Sequence, residues 1–426
     1  MLKPAVDKQL DGAEFDAIVV GTGPAGATIA RELSKRKQRV LILERGADVS
    51  PGGGLRATVS IVNTVPVGDN LVTARAFATG GTTSVYFAVV DFPPLDTFLS
   101  LGIDLSGELE EAKRELPLAL LPDELYGAQA VKVRDSALDL GYEWRKNPML
   151  VDQSKCASDG AREAKWNARQ YVLEAVAEGA TLINRATVLK ALVEKKRAIG
   201  VEYKIQKGKK EFEIRRAFGA KIILSAGATA SPIILRDSGI RTIASDGFCC
   251  YPGFAVFGSV PGLKAGENFV GSMGAIVDEH MALGDANPAR ALYRMFMIGR
   301  GRFIRAFRHS RSVGVGVSIK ERLGGGLQED GRYYKRLTKE DVGMLEKGEH
   351  LARQIIQNAG GKHIFKSPTS ASHLGGVIRI KEHIDENLQT EYANLHVCDG
   401  SVIPESFRGA PTLTLICLGK YLANHL

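Results

Sequence analysis

The chain has little that would let it span a membrane. Nothing in its 426 residues approaches the roughly 18 uninterrupted apolar positions of a spanning helix. The opening MLKPAVDKQLDG is polar, with no apolar run behind a basic start, and predicts no secretory leader. Cysteine is scarce: the five (Cys156, Cys249, Cys250, Cys398, Cys417) are an odd count without framework spacing or a C-x-x-C pair. This predicts a reduced, intracellular, cytoplasmic protein with no zinc site or other metal. Internal repeats and low-complexity tracts are missing, which excludes solenoids and disordered arrays. No nucleic-acid-binding module accompanies the basic residues, so a nucleic-acid partner is not expected.

What is present is an ordinary 44% of apolar residues and an unusual amount of glycine, 47 of 426. That is above the usual share of about 7% and suits a backbone that something approaches closely. The length exceeds the roughly 250 to 300 residues at which one core stops growing, and predicts two domains interleaved in sequence. The net charge of +8 has a local origin. Between Asp285 and Glu321 lie Arg290, Arg294, Arg300, Arg302, Arg305, Arg308, Arg311 and Lys320 without one acid. Aromatic and aliphatic residues are interleaved with them. Three readings stay open for Arg290–Arg311: a solvated or domain-facing basic loop, a contact for an anionic substrate or acidic electron-transfer partner, and a peripheral contact with an anionic membrane. Its place in the second domain also motivates reading it as a lid over the substrate entrance.

Along the chain, FDAIVV reads as a short buried strand, GATIARELSKR as a helix and RVLILE as a second strand, a β-α-β unit. PGGGLRATVS reads as a loop, and LPLALLPDELYGAQAVKVRDSALDLGY as helices broken by proline. Ala161 to Glu178 is helical in pattern. The stretch from Thr181 to Ala217 alternates strands with basic turns, an antiparallel meander, and KIILSAGA is a buried strand ending in a glycine turn. Between about Ser245 and Thr369 the texture changes to glycine-rich scattered strands. Within it Thr338 and Asp341 form a capping box, and Gly360-Gly361 stop the helix. The final PTLTLICLGKYLANHL is a buried helix with proline in its first turn.

Gly21, Gly23 and Gly26 give G-x-G-x-x-G where the first strand meets the helix, with Pro24 and Ala25 inside the motif. One glycine suits the tight turn, one lets a pyrophosphate reach the backbone, and one allows close helix packing, with the helix N-terminus favouring the anion. Glu44, followed by Arg45, closes the second strand, where a carboxylate accepts ribose hydroxyls and repels a 2'-phosphate. NADP is disfavoured; this unit alone leaves FAD and NAD both open.

Later segments carry a resemblance. GTGPAGATIARELSKRKQRVLILERG, ATGGTTSVYFAVV, KIILSAGATASPIILRDSGI, SASHLGGVIRI and NLHVCDGSVIPESFRGAPTLTLICLGKYLA, in this order, resemble the glucose-methanol-choline oxidoreductase family, FAD enzymes that oxidise alcohols. The resemblance implies FAD as cofactor. It implies an α/β fold with a Rossmann-like FAD-binding domain (parallel sheet, antiparallel meander, helices) interleaved with a smaller α+β substrate domain on an antiparallel sheet. The expected division is 1–90, 160–245 and 374–426 for FAD, 91–159 as a helical connection, and 246–373 for substrate. It further implies that Gly80, Gly81, Thr82 and Thr83 wrap the pyrophosphate and flavin edge. Val188 would meet the adenine through its backbone, Ala226 and Gly227 would pass the dinucleotide, and Asp399 with Gly400 would hold the ribityl chain. If Pro411, Thr412 and Leu413 begin the last helix at the flavin's pyrimidine edge, its unpaired N–H groups stabilise charge there on reduction.

Alcohol oxidation needs a base beside the hydride acceptor. Of eight histidines, His373 alone lies in an H-x-x-G segment resembling the family's catalytic histidine. Two positions depart from the family. Ala410 stands where a second histidine or an asparagine is usual; either Tyr86, Arg408 or nearby backbone bonds the substrate oxygen instead, or the substrate is not a simple primary alcohol. Tyr86 itself replaces a common asparagine. His396 reads as a core strand residue, and Cys249-Cys250 as buried thiols. The expected activity is FAD-dependent oxidation of a CH–OH group of a small alcohol-like substrate, as dehydrogenase or oxidase, with oxygen, a quinone or a protein taking the electrons. Its rivals are hydride transfer across a C–C bond beside a carbonyl, and a flavoprotein subunit needing a partner for turnover.

Overall fold

The computed structural model describes residues 14–426 apart from 50–53, 157–162, 209–210, 242, 244–245, 268 and 405–408. The strand Glu14–Val20 is buried from Ala17 onward. Its continuous apolar run, rather than an alternating one, fits a strand covered on both faces. It pairs in parallel with Val40–Glu44 on one side and with Phe212–Leu224 on the other. Between the first two strands runs the helix Pro24–Lys35, whose small residues Ala25, Gly26, Ala27 and Ala30 are buried. The last helix, Thr412–His425, lies against it closely enough that a Cβ on Gly419 would come within 2.9 Å of the Ala25 carbonyl.

The expected meander and the expected buried strand turn out to be continuous. Phe212–Leu224 is one strand of 13 residues. Its first half pairs antiparallel with Arg197–Gln206, and its end pairs in parallel with Glu14–Val20 and Leu395–Val397. Thr181–Asn184 does not belong to the meander; it extends the parallel part beside Val40–Glu44. Two further expectations are corrected. The helix expected over Ala161 to Glu178 is Arg169–Ala177. Of the earlier residues, 161 and 162 lie outside the described ones, Lys165 bridges Val151, and the Asn167 side chain accepts the Arg169 N–H, the role of a cap. Of the loop expected over PGGGLRATVS, residues 51–53 lie outside the described ones and the rest belongs to a helix, Gly54–Ile61, where the glycine run gives way to Leu55 and the residues after it.

A second sheet is wholly antiparallel. Its order is Lys362–Lys366, Pro252–Ser259, Ser312–Ile319, Met281–Asp285, Met273–Ile276 and Arg145–Lys146, with Ser370–Ala371 also pairing Pro252–Ser259. The helix Lys339–Asn358 covers it. Thr338 and Asp341 form the expected capping box, and a Cβ on Gly348 would fall 2.4 Å from Val317. The stretch 91–159 serves both cores: Phe98, Leu105, Leu109 and Ala112 join the first, while Ala130, Val133 and Ala137 join the second. The architecture is therefore α/β, a Rossmann-like sheet with an antiparallel extension, joined to an α+β unit on an antiparallel sheet. Among the described residues no helix is long and apolar enough to cross a membrane.

Candidate functional site

The three motif glycines have three different surroundings. Gly21 has a φ of +99°, and a Cβ there would strike the Ser225 carbonyl at 2.3 Å, so only glycine fits between the turn and the neighbouring strand. At Gly26 a Cβ would lie 2.3 Å from the Gly21 carbonyl. At Gly23 it would meet nothing within 4 Å; this glycine faces open space as the N-cap of Pro24–Lys35. Ala25 is buried against the last helix. Gly81 bends over the same space, its Cβ position 3.1 Å from Gly23. Gly80 donates its N–H to the Thr22 hydroxyl at 3.0 Å, and Thr22 donates in turn to Glu44.

Glu44 is tied into the turns around it. Its Oε2 accepts from the Thr22 N–H at 3.1 Å and from the Thr22 hydroxyl, and its Oε1 accepts from the Gly46 N–H at 2.6 Å. Burial raises its pKa, while these donors pull it back down. The carboxylate orders both glycine turns, with about one acceptor site to spare for a ligand. Arg45 lies over the Phe77 ring at 3.5 Å. Thr82 is half-buried. Thr83 points inward, donating to the Gly80 carbonyl and accepting from the Ala168 N–H; its hydroxyl is committed to the fold.

Asp399 is likewise an internal clamp. One oxygen accepts from the N–H and hydroxyl of Ser401, and the other from the Gly227 N–H at 2.9 Å and the Ser231 hydroxyl. Four donors saturate the carboxylate, so any hold on a ligand here falls to backbone at Asp399 and Gly400. Gly227, at φ +96°, has nothing within 4 Å of its Cβ position, and the Ser231 hydroxyl accepts the Ala226 N–H. The Val188 side chain is buried in the first core, on a strand where it pairs with Tyr203. A Cβ on Gly400 would come within 3.1 Å of the Leu374 carbonyl. The turns therefore touch in sequence from Gly21 through Ser225 and Asp399 to the residue after His373.

His373 lines one pocket with Cys249, Tyr251, Leu374, Gly375, Ile403, Pro404 and Pro411. Pro411 is the N-cap of the last helix. The first helical bond runs from the Leu415 N–H to the Pro411 carbonyl, so the N–H groups of Thr412 to Thr414 precede the ladder. Neither ring nitrogen of His373 has a hydrogen-bond partner among the described residues. Burial, and after it the charge of Arg75, lowers the imidazole pKa to about 4. Arg75, itself lowered to about 10 by burial, donates to the Ser372 carbonyl at 3.1 Å.

Tyr251, Arg75 and a buried ion pair beneath them are missed by sequence reasoning. Tyr251 sits edge-on to His373 and has a φ of +46°, uncommon for a residue with a Cβ. Glu321 accepts from the Cys250 N–H at 2.6 Å and the Tyr251 N–H at 3.1 Å. Lys335 lies 3.4 Å from Glu321, both side chains fully buried, and donates to the Phe248 carbonyl. No local pattern marks these residues; they are brought together by strand pairing.

At the departures, the Ala410 N–H donates to Asp91 at 2.8 Å, which holds the strap before the last helix. Tyr86 donates its hydroxyl to the Trp166 carbonyl at 2.7 Å, so it is not a free donor for substrate. Arg408 lies outside the described residues. His396 is buried on the strand Leu395–Val397, and Cys249 and Cys250 are buried free thiols.

The GMC oxidoreductase family model matches residues 110–269, and the Thi4 family model matches residues 1–70. An uncharacterized GMC-type oxidoreductase of Mycobacterium tuberculosis (strain ATCC 25618 / H37Rv) is 29% identical over 260 residues, 53% of this chain and 39% of that protein. The chain thus spans about two fifths of that relative's length. A long-chain-alcohol oxidase of Arabidopsis thaliana is 23% identical over 527 residues, 100% of this chain and 70% of that one. The crystal structure of pyridoxine 4-oxidase from Mesorbium loti shares the fold, with a TM-score of 0.72 at 14% identity over 97% of this chain and 99% of that one. With the glycine cradle, the saturated Asp399 clamp and the His373 pocket in one contiguous line, the chain is similar to the GMC oxidoreductases over residues 110–269 and shares the fold of one of the solved oxidases.

Proposed function

We propose that the chain oxidises a CH–OH group of a small alcohol-like molecule, with FAD in the cradle and His373 as the base. The observation that carries this reading is the His373 ring, free of hydrogen bonds among the described residues, in the pocket that Pro411 also lines. When bound, FAD supplies the hydride acceptor. Gly23 and Gly227, open where a side chain would otherwise stand, and Gly81, bent over Gly23, would admit its pyrophosphate and ribityl chain. The N–H groups at the start of Thr412–His425 present a positive end to it.

His373 is neutral above about pH 4 and so accepts the hydroxyl proton at a ring nitrogen across the neutral range. Arg75 discourages the imidazolium from persisting. Tyr251 walls the ring on one side and limits its tilt. Ala410 contributes no side-chain donor, and Tyr86 is already committed, so among the described residues the polar side chains offered to the substrate oxygen are those lining the pocket, His373 with Tyr251 and Cys249 beside it. The names of two similar proteins, an alcohol oxidase and a pyridoxine oxidase, agree with a CH–OH donor.

The test is anaerobic. Bound flavin should bleach on adding a reactive alcohol from a panel of aliphatic, aromatic and sterol alcohols, and remain yellow with reduced nicotinamide. Bleaching by nicotinamide alone would overturn the reading. Reoxidation by air or by a quinone then separates oxidase from dehydrogenase.

A further inference from the structure

The arginine-rich stretch folds into the helix Arg290–Gly299 and the short helix Phe303–Ala306, followed by a turn at His309–Arg311. Tyr293, Met297 and Ala306 face inward, forming a small core of their own with Phe296 and Phe365. Phe257 of the second sheet stacks on Phe365 at 5.5 Å. The outward side is equally apolar. Phe303, Ile304 and Phe307 are 62%, 75% and 74% exposed, and Leu292, Met295 and Ile298 are exposed beside them. Six such side chains on one projection is an arrangement that a protein surrounded only by water has no use for.

The charges around this projection are unbalanced. Arg290 has Glu267 at 3.8 Å. Among the described residues Arg294, Arg300, Arg302, Arg305, Arg308 and Arg311 have no carboxylate partner. Arg302 and Arg305 lie over the Phe365 ring at 4.3 and 4.9 Å. Arg305 and Arg308 line a pocket with Tyr293, Ser259 and His363. Burial, then repulsion from Arg302 and Arg308, lowers the Arg305 pKa. Such a cluster is relieved by an anion arriving from outside.

Position excludes a lid over His373. Pro252 pairs with Ala371, two residues before His373, whereas Ser259 at the other end of the same strand pairs with Ser312 and Lys362. Eight residues of strand separate the two ends by roughly 23 Å at about 3.3 Å each.

We propose that the paired helices over 290–311 dock this protein onto bilayers rich in anionic phospholipid, Phe303, Ile304 and Phe307 entering the interface while the flanking arginines meet the phosphates. The apolar side chains project outward from short helices, and the basic ones flank them, the division that an interfacial helix requires. Carboxylates alone would satisfy the arginines and leave Phe303, Ile304 and Phe307 in water, whereas an anionic bilayer offers phosphates and an apolar layer together. The proposal does not depend on the reaction proposed for His373.

The test is sedimentation of the full-length holoprotein with vesicles of phosphatidylcholine alone or mixed with phosphatidylglycerol. The chain should bind the mixed vesicles and not the neutral ones, and added salt should weaken binding. Two variants, Phe303→Ser/Ile304→Ser/Phe307→Ser and Arg300→Gln/Arg308→Gln/Arg311→Gln, should each lose about tenfold or more in affinity with flavin content and melting temperature unchanged. Three results would overturn the proposal: no binding to the anionic vesicles, equal binding to neutral ones, or wild-type binding by the triple serine variant. The last outcome is the pattern of a purely charge-reading surface for an acidic protein. A wild-type dimer that the serine variant converts to a monomer would also overturn it, by showing that a second copy covers the patch.

Discussion

The ring of Tyr251 meets the imidazole of His373 edge-on, centroids 6.1 Å apart and planes inclined by 63°. Tyr251 reaches this position from a left-handed backbone conformation, a strained state that persists only where its surroundings over-determine it. Here the surroundings are the Glu321 carboxylate on its N–H and on that of Cys250, with Lys335 balancing the charge.

Glu321→Ala should therefore destabilise the fold by about 3–5 kcal/mol, since it leaves the Lys335 charge buried without a partner. Replacing both residues by apolar ones of similar volume should cost much less. Urea unfolding of the two variants measures the difference; equal losses would contradict the role given to the pair.

The pH dependence of kcat/KM follows from the surroundings of His373. A histidine pKa lowered below its ordinary value near 6.5 leaves the imidazole neutral, and competent as a base, at every pH above it. The acid limb should therefore fall near pH 4, and activity should be flat through pH 6–7. Arg75→Gln removes a positive charge that disfavours the imidazolium, so the limb should move upward. Because burial is the larger cause, the move should stop short of the ordinary value. A limb that stays put would show that Arg75 does not sense His373.

Two glycine substitutions separate folding from cofactor binding. Gly26→Ala puts a methyl group 2.3 Å from the Gly21 carbonyl and should destabilise the apoprotein by about 1–3 kcal/mol, the usual cost of overpacking. Gly23→Ala meets nothing and has a φ of −63°, so the apoprotein should melt at the wild-type temperature or slightly above it. Its methyl group would stand in the path of the pyrophosphate, and flavin content after gel filtration should fall. Retained flavin in Gly23→Ala would contradict the placement of the cradle.

Asp399→Asn changes two acceptor sites into donors facing donors. It should lower stability by about 1–3 kcal/mol, the usual cost of a buried group left unsatisfied. Ser231→Ala in the same background removes one of the opposing donors and should recover part of the loss in thermal unfolding.

Local chemistry was readable before the fold was known. The glycine turn, Glu44, the Thr338 capping box and the buried last helix each depend on residues a few positions apart, and each is found where the pattern placed it. What escaped depends on distant partners. Nothing near Tyr251 announces that Glu321, 70 residues on, holds its N–H. Phe212–Leu224 changes partners along its length, so one strand read as two pieces. Asp399 and Thr83 lie at turns that the sequence marks, but their side chains face inward, a direction that the identity of a residue does not reveal.

The most direct measurement is the rate of anaerobic flavin reduction by a saturating alcohol in wild type and in His373→Asn, with bound FAD quantified in both. If His373 takes the hydroxyl proton, reduction should slow by about 10²- to 10⁴-fold with flavin content unchanged. Reduction at the wild-type rate in His373→Asn would contradict the account.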